Sequence, residues 1–252
     1  MHADQILAQL NEQQREAVTS SGNNVMVVAG AGSGKTRVLV HRIAWLIAVE
    51  QTPPQNIFAV TFTNKAAKEM SSRVSEILGY ESKGMWIGTF HGIAHRFLRL
   101  HWSDSGLDQN FQILDADDQL RQIKKIIKEN SFDESRYPPK EITWFINSQK
   151  DLGLRPSKSK GKKGLEHYLE IYDAYEKLCR QNNLVDFGEL LLRFYETLKN
   201  NEPLLGHYQN RFENILVDEF QDTNEIQYKI IKLLTGDTGK AFIVRDHDQS
   251  IY

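Results

Sequence analysis

The sequence predicts an α/β protein, a parallel doubly wound sheet flanked by helices and split by a helical insertion. Three observations lead there. Short apolar runs rich in β-branched residues alternate with longer amphipathic stretches. Strand signals vanish between Gly92 and about Phe212, where helical periodicity takes over. A glycine-rich loop joins the first strand-like run to the first long helical one.

The strand-like runs occupy residues 25–28, 57–62, 85–87, 214–217 and 241–244. Each is short and nearly continuous in apolar character, as a strand buried on both faces of a parallel sheet is. Residues 36–49 repeat Leu39, Ile43, Leu46 and Ile47 at the spacing of one helix face. Residues 64–78 begin at an Asn cap and run through Ala66, Ala67, Met70, Val74 and Ile77. Strand, helix and strand in succession make β-α-β units with right-handed crossovers. The later helical patterns cover 91–101, 117–129, 140–150, 165–181 and 186–198, and Asp186 followed by Glu189 has capping-box spacing. Residues 155–164, with four lysines beside Pro156, Gly161 and Gly164, read as an exposed loop. The expected organisation is an α/β domain made of residues 1–90 and 213–252, with 91–212 inserted as an all-helical subdomain.

Composition narrows the function. The 252 residues are 40% hydrophobic and 25% charged, which excludes disordered and fibrous chains. Thirty-one basic residues against 33 acidic ones give a net charge of −2, so any nucleic-acid site is a local groove within a near-neutral chain. Cys179 is the only cysteine, so no internal disulfide forms. No apolar run approaches the roughly 18–20 residues of a membrane helix, and the N-terminus lacks a secretion signal. The expectation is a cytoplasmic protein with no membrane partner.

Residues 29–36 read Ala29-Gly30-Ala31-Gly32-Ser33-Gly34-Lys35-Thr36, between a strand and a helix. Such a loop turns backbone N–H groups inward around phosphate oxygens, and the helix N-terminus adds partial positive charge. Lys35 is placed to reach the β- and γ-phosphates and Thr36 to ligate Mg²⁺. The strict pattern wants glycine where Ala29 stands. Asp218 follows the run 214–217 at its carboxyl end, where ligands bind in open α/β sheets, and suits the metal. Glu219 is the candidate base for the attacking water. Guanine specificity is disfavoured: Asn64-Lys65 is followed by Ala66-Ala67, without the base-reading aspartate. Gln14 offers an amide for adenine N6 and N7, yet Asn11-x-x-Gln14 equally has capping-box spacing. Residue chemistry alone leaves both open.

Together these segments resemble the UvrD/Rep/PcrA-type superfamily 1A DNA helicases, most closely the UvrD branch. Residues 10–18, Leu10-Asn11-Glu12-Gln13-Gln14-Arg15-Glu16-Ala17-Val18, are similar to the family's Q motif, and 29–36 to motif I. Thr61-Phe62-Thr63-Asn64-Lys65-Ala66-Ala67-Lys68-Glu69-Met70 resembles motif Ia, and Gly88-Thr89-Phe90-His91-Gly92 the next DNA-contacting motif. Val217-Asp218-Glu219-Phe220-Gln221-Asp222-Thr223-Asn224 resembles motif II, and residues 246–252 the start of motif III.

The resemblance implies a RecA-like P-loop NTPase domain, 1A, with a helical subdomain, 1B. It also implies ATP and Mg²⁺ as cofactors, and 3′→5′ movement on single-stranded DNA and at junctions with duplex. Repair proteins become possible partners. Gln14 is then the adenine reader, Arg37 a nucleotide neighbour and Gln249 the γ-phosphate sensor. Phe62 and Phe90 are candidates for base stacking; Thr63, Asn64, Lys65, Arg73, Thr89 and His91 for backbone or base contact.

The family's Val-Gly-Asp-Asp-Asp-Gln at motif III is here Val244-Arg245-Asp246-His247-Asp248-Gln249, so a distorted or mobile motif III is expected. The chain ends at Tyr252 inside that motif. The expectation is an N-terminal fragment lacking the second RecA-like domain and its arginines. A missing arginine finger typically costs about 10³–10⁵ in turnover, so such a fragment binds ATP weakly, hydrolyses it slowly and unwinds nothing. Two alternatives stand beside this reading. One is a nucleotide-gated DNA-binding module without turnover. The other is the motor of a RecB/AddA-type helicase–nuclease, which the compact insertion and the run 90–96 disfavour.

Overall fold

The computed structural model describes residues 3–22, 24–30, 32–158 and 164–246. The chain begins with α1 (Ala3–Leu7), α2 (Glu12–Thr19), β1 (Asn24–Ala29), α3 (Lys35–Ala48), β2 (Ile57–Thr61), α4 (Asn64–Leu78) and β3 (Trp86–Thr89). It continues through α5 (Phe90–Leu100), β4 (Gln112–Leu114), α6 (Ala116–Glu129), α7 (Pro139–Asp151), α8 (Glu166–Gln181), β5 (Leu184–Asp186) and α9 (Phe187–Asn200). Last come α10 (Glu202–Arg211), β6 (Asn214–Val217), α11 (Glu225–Thr235) and β7 (Lys240–Asp246). The described residues divide into two compact units. One holds the residues up to Ile93, Asn201–Thr223 and those from Ile231 on; the other holds Ala94–Asn200 and Asn224–Ile230.

In the first unit the five strands form one parallel sheet in the order β1-β7-β6-β2-β3. The central strands β2 and β6 are buried at every position, which is why their sequences are unbroken apolar runs. β1 differs from that expectation. At the margin of the sheet it packs Val25 and Val27 against the core while Met26 and Val28 stay about half exposed, at 53% and 46%. Helix α3 covers the sheet with Val38, Leu39, Val40, Ile43, Leu46 and Ile47, all in the main core with Met70 and Val74 of α4. Trp86, Phe58, Phe212 and Tyr208 form an aromatic cluster with centroids 5.2–5.9 Å apart, joining β2 and β3 to α10. The cap of α4 is Thr63, whose hydroxyl accepts the Ala66 N–H at 3.0 Å; Asn64, expected to cap, is the first helical residue.

The second unit is helical as expected, with one addition. β4 and β5 pair in parallel over three residues each, too short to leave a period in the sequence. Its core gathers Ile123, Ile126 and Ile127 of α6, Ile142 and Ile146 of α7, and Ile171, Tyr172 and Tyr175 of α8. The Asp186 side chain accepts the Glu189 N–H at 2.7 Å, capping α9 as its spacing suggested. Beside this core lies a buried ionic cluster. Lys150, 1% exposed, sits 3.0 Å from Glu176, 2.8 Å from Asp186 and 3.1 Å from Glu189. Arg155 bridges Glu176, Glu189 and Glu196.

Candidate functional site

The site begins where β1 ends. Ala29 is still a strand residue, paired with Asp246, so a Cβ is tolerated where the motif prefers glycine. The loop then turns sharply: Gly32 and Gly34 have φ of +74° and +86°, which side chains resist. At Gly34 a Cβ would also stand 3.0 Å from the Gln14 amide nitrogen. Gly34 leads directly into α3, so Lys35 and Thr36 occupy its first turn.

A cleft of about 610 Å³ opens above the loop, lined by residues 32–36 with Gln14, Arg37, Arg73, Glu219 and Asp246. Lys35 reaches across it, its Nζ 2.5 Å from Asp246 Oδ2 and 3.6 Å from Glu219 Oε2. Burial works to lower the Lys35 pKa, but the hydrogen bond to Asp246 and the two negative charges outweigh it and hold the ammonium above its usual value. Asp218 stands at the carboxyl end of β6, 4% exposed. Burial, then the neighbouring Glu219 charge, pushes its carboxyl up to about 6; the Glu219 N–H and Lys35 pull the other way. Glu219 adopts a left-handed backbone, φ 49° and ψ 46°, a conformation that costs a non-glycine residue energy and concentrates at functional sites.

The arrangement fits a magnesium-bound polyphosphate. Glycine-loop amides and the start of α3 supply the positive end. Asp218 is a buried acid whose surroundings raise its affinity for a proton, and a divalent cation beside it would favour the ionised form. Thr36 would add its hydroxyl to the same ion, whose role is to neutralise phosphate charge.

One prediction follows from the Asp218 shift. The raised pKa means this group's favourable contribution to folding is complete below about pH 4 and lost as pH rises through about 6. Asp218→Asn should therefore stabilise the ligand-free protein by about 2–3 kcal/mol at pH 8. The gain should shrink towards zero at pH 4, and urea unfolding across that range would show it. An equal gain at both pH values would rule the buried charge out as the cause.

Gln14 closes the capping box that its spacing allowed and also touches the phosphate loop. Its Oε1 accepts the Asn11 N–H at 3.1 Å in a closed capping box, while its Nε2 donates to the Ser33 carbonyl at 3.0 Å, fixing α2 to the phosphate loop. Arg73, grouped from the sequence with the DNA residues, lines the phosphate cleft and pairs with Glu69 at 2.5 Å. Ala31, His247 and Gln249 lie outside the described residues. Arg245 takes a regular place in β7 opposite Val28, so the strand keeps its register as far as Asp246; among the described residues the buried Arg245 Nε has no hydrogen-bond partner.

The residues assigned to DNA gather at the neighbouring ends of β2 and β3, where Thr61 pairs with Thr89. Phe62 is 37% exposed, and Thr63, Asn64 and Lys65 face solvent beside it. Thr89 accepts the Gly92 N–H at 3.0 Å and reaches towards Asn64 at 3.5 Å. Phe90 is 4% exposed and belongs to the core, so it offers no open face here. Burial lowers the pKa of His91 below its usual value, favouring the neutral ring. Asp246, the closest partner of Lys35, was not singled out by the sequence, because its place comes from the pairing of β7 with β1.

A parallel sheet of this order, with a glycine-rich loop between its marginal strand and the next helix, is the arrangement of a RecA-like domain. Residues 10–252 match the model of the UvrD/REP helicase N-terminal domain, and the chain belongs to that family. It is 56% identical over 254 residues to DNA helicase II of Escherichia coli (strain K12), covering 100% of this chain and 35% of that protein. It is 54% identical to DNA helicase II of Haemophilus influenzae, with 100% and 36% covered. Against the ATP-dependent DNA helicase PcrA of Bacillus subtilis (strain 168) the identity is 42%, with 99% and 34% covered. The chain spans about a third of the length of these curated relatives. Among the described residues, no helix is long and apolar enough to cross a membrane.

Proposed function

We propose that this chain is the nucleotide-binding and DNA-contacting part of a cytoplasmic, ATP-dependent DNA helicase that moves 3′→5′ on single-stranded DNA. The observation that carries the reading is the meeting of Lys35, Glu219 and Asp246 in one cleft with the glycine loop, though their codons lie far apart. In this reading residues 29–36 wrap the β- and γ-phosphates, and Lys35 exchanges its acidic partners for phosphate oxygens. Thr36 and Asp218 hold Mg²⁺. Glu219 takes the proton of the attacking water, and Gln249 senses the γ-phosphate. Gln14 reads the adenine and Arg37 neighbours the nucleotide; Arg73 is reassigned from DNA to nucleotide because it lines the same cleft as both.

Residues 1–90 and 213–252 act as domain 1A and 91–212 as 1B, except that residues 201–212 lie in the compact unit of the five-stranded sheet and go with 1A. Phe62 supplies a flat face that stacks on any base, with Thr63, Asn64, Lys65, Thr89 and His91 contacting the strand around it. Phe90 supports this surface from beneath. The names of the relatives, DNA helicase II and ATP-dependent DNA helicase PcrA, support the substrate and the fuel. Junctions of single- and double-stranded DNA, a second RecA-like domain and repair proteins complete the proposed set of partners.

Titration with a fluorescent ATP analogue tests the site directly. Binding is expected only with Mg²⁺, and Lys35→Ala should weaken it by about 10-fold or more, the scale of one lost charge-assisted contact to phosphate. Unchanged affinity in that variant would remove the phosphate loop from the site. A companion titration with oligo-dT should show affinity falling steeply with salt and dropping in Phe62→Ala.

A further inference from the structure

We infer that Gln221 is a positioning residue for hydrolysis, holding the carboxylate of Glu219 and the end of β7 in one frame; the assignment rests on the reading of Glu219 as the base. Gln221 lies in the 3₁₀ turn Phe220–Asp222 that directly follows Glu219. The turn is closed by the Asp222 N–H donating to Glu219 O at 3.0 Å and the Thr223 N–H donating to Phe220 O at 3.1 Å. From this short support the side chain works at both ends. Its Nε2 donates to Glu219 Oε2 at 2.5 Å, with Asp222 Oδ2 at 3.3 Å as a weaker second acceptor. Its Oε1 accepts the backbone N–H of Asp246 at 2.9 Å.

A primary amide suits both contacts. It offers a donor and an acceptor on one planar group, whereas a carboxylate accepts at both ends and an ammonium only donates. The contacts close a ring: Lys35 pairs with Asp246, the Asp246 N–H meets Gln221, Gln221 meets Glu219, and Glu219 stands 3.6 Å from Lys35. Without nucleotide, the lysine helps hold both acids. Once phosphate draws Lys35 away, the hydrogen bond from Gln221 is what continues to orient Glu219, whose left-handed backbone already fixes its direction. The same amide ties that orientation to the strand leading into motif III. Gln221 touches neither phosphate nor metal in this scheme, so its loss should slow the chemical step and leave nucleotide affinity alone.

Two variants separate the arms of the amide. Gln221→Met keeps the volume and removes both hydrogen bonds. Gln221→Glu keeps an acceptor for the Asp246 N–H but sets a like charge against Glu219. Three measurements are made on the whole chain: affinity for a fluorescent ATP analogue with Mg²⁺, single-turnover release of labelled γ-phosphate, and amide hydrogen exchange at Asp246. In Gln221→Met, release is expected to slow by about 10–100-fold, the worth of a hydrogen bond to a charged group, at nearly unchanged affinity. Exchange at Asp246 should quicken by about tenfold while Phe242 and Val244 keep their protection. In Gln221→Glu, exchange at Asp246 should stay near the parent's while release slows as in the methionine variant.

Release within about threefold of the parent in Gln221→Met, a smaller change than one hydrogen bond is worth, overturns the inference. So does unchanged exchange at Asp246 in that variant, or a general loss of protection along β7 with lost binding, which would make Gln221 a structural residue only. A parent chain that neither binds nor hydrolyses Mg·ATP fails the nucleotide reading itself, and that is seen before any variant is compared.

Discussion

Glu219→Gln is expected to reduce ATP hydrolysis by about 10²–10⁴-fold, the range a positioned general base contributes, while nucleotide affinity stays within a few-fold. The substitution preserves the shape of the side chain and removes its charge and its ability to take a proton. Glu219 is suited to that task by position: it follows the buried Asp218 at the end of β6, lines the phosphate cleft and keeps its side chain 34% exposed, open to a water molecule. Its backbone at φ 49° turns the carboxylate away from the path an ordinary strand extension would give it. Affinity should hold or tighten, because the variant removes a negative charge that otherwise competes with phosphate for Lys35. Single-turnover phosphate release beside an equilibrium titration separates the two effects. Hydrolysis that persists at the parent's rate would move the role of base to another residue, with Asp246 the next acid in the cleft.

Lys150→Met should cost the second unit about 3–5 kcal/mol, the penalty for breaking a buried ion pair by deleting one partner. The ammonium, 1% exposed, answers three carboxylates within 3.1 Å; Arg155 and Arg193 remain but cannot occupy its place. Its pKa lies well above the ordinary lysine value because the charges of Asp186, Glu189 and Glu176 overcome the effect of burial. Glu189 is held well below the ordinary carboxylate value, since Lys150, Arg155 and Arg193 together outweigh the burial that opposes them. The signs fix the pH window. The Glu189 contribution is present above about pH 4.5 and lost as acid takes pH through its lower folded value; the Lys150 contribution is complete below about pH 10.5 and lost above. The native protein should hold its stability between those limits. The variant's deficit should be largest near pH 8 and shrink as acid neutralises the stranded carboxylates. Urea unfolding with amide exchange read on α8 and α9 would show this, and a loss below about 1 kcal/mol, the level of a surface pair, would mean the cluster adds little.

Much of the first unit was legible because its signals are local. A strand buried on both faces must be an apolar run, and Ile57–Thr61 and Asn214–Val217 are; a phosphate loop must sit between strand and helix, and residues 29–36 do. What escaped was set by register. Nothing near Asp246 in the sequence announces that β7 lies beside β1, with Ala29 opposite Asp246, yet that pairing gives Lys35 its nearest partner. Arg73 faces the cleft because of where α4 docks, which its own periodicity does not state. Phe90 was weighed as a stacking ring from its place in a motif, whereas burial is a property of everything packed around it. The ionic cluster was invisible for the same reason: Lys150, Glu176, Asp186 and Glu189 come from three helices and a strand, and each alone reads as a surface charge.

The 211 positions separating Lys35 from Asp246 have a consequence for biosynthesis. A growing chain presents its glycine loop early, but the acids that complete the pocket emerge only after Ala94–Asn200 has been made. At about 5–20 residues per second, that leaves on the order of ten seconds or more in which the loop and its lysine have no acidic counterparts. The marginal strand that bears the loop must also wait for β7, its hydrogen-bonded neighbour in the sheet. Arrest experiments that stall the ribosome before and after residue 246 should find nucleotide retention arising only in the longer nascent chains.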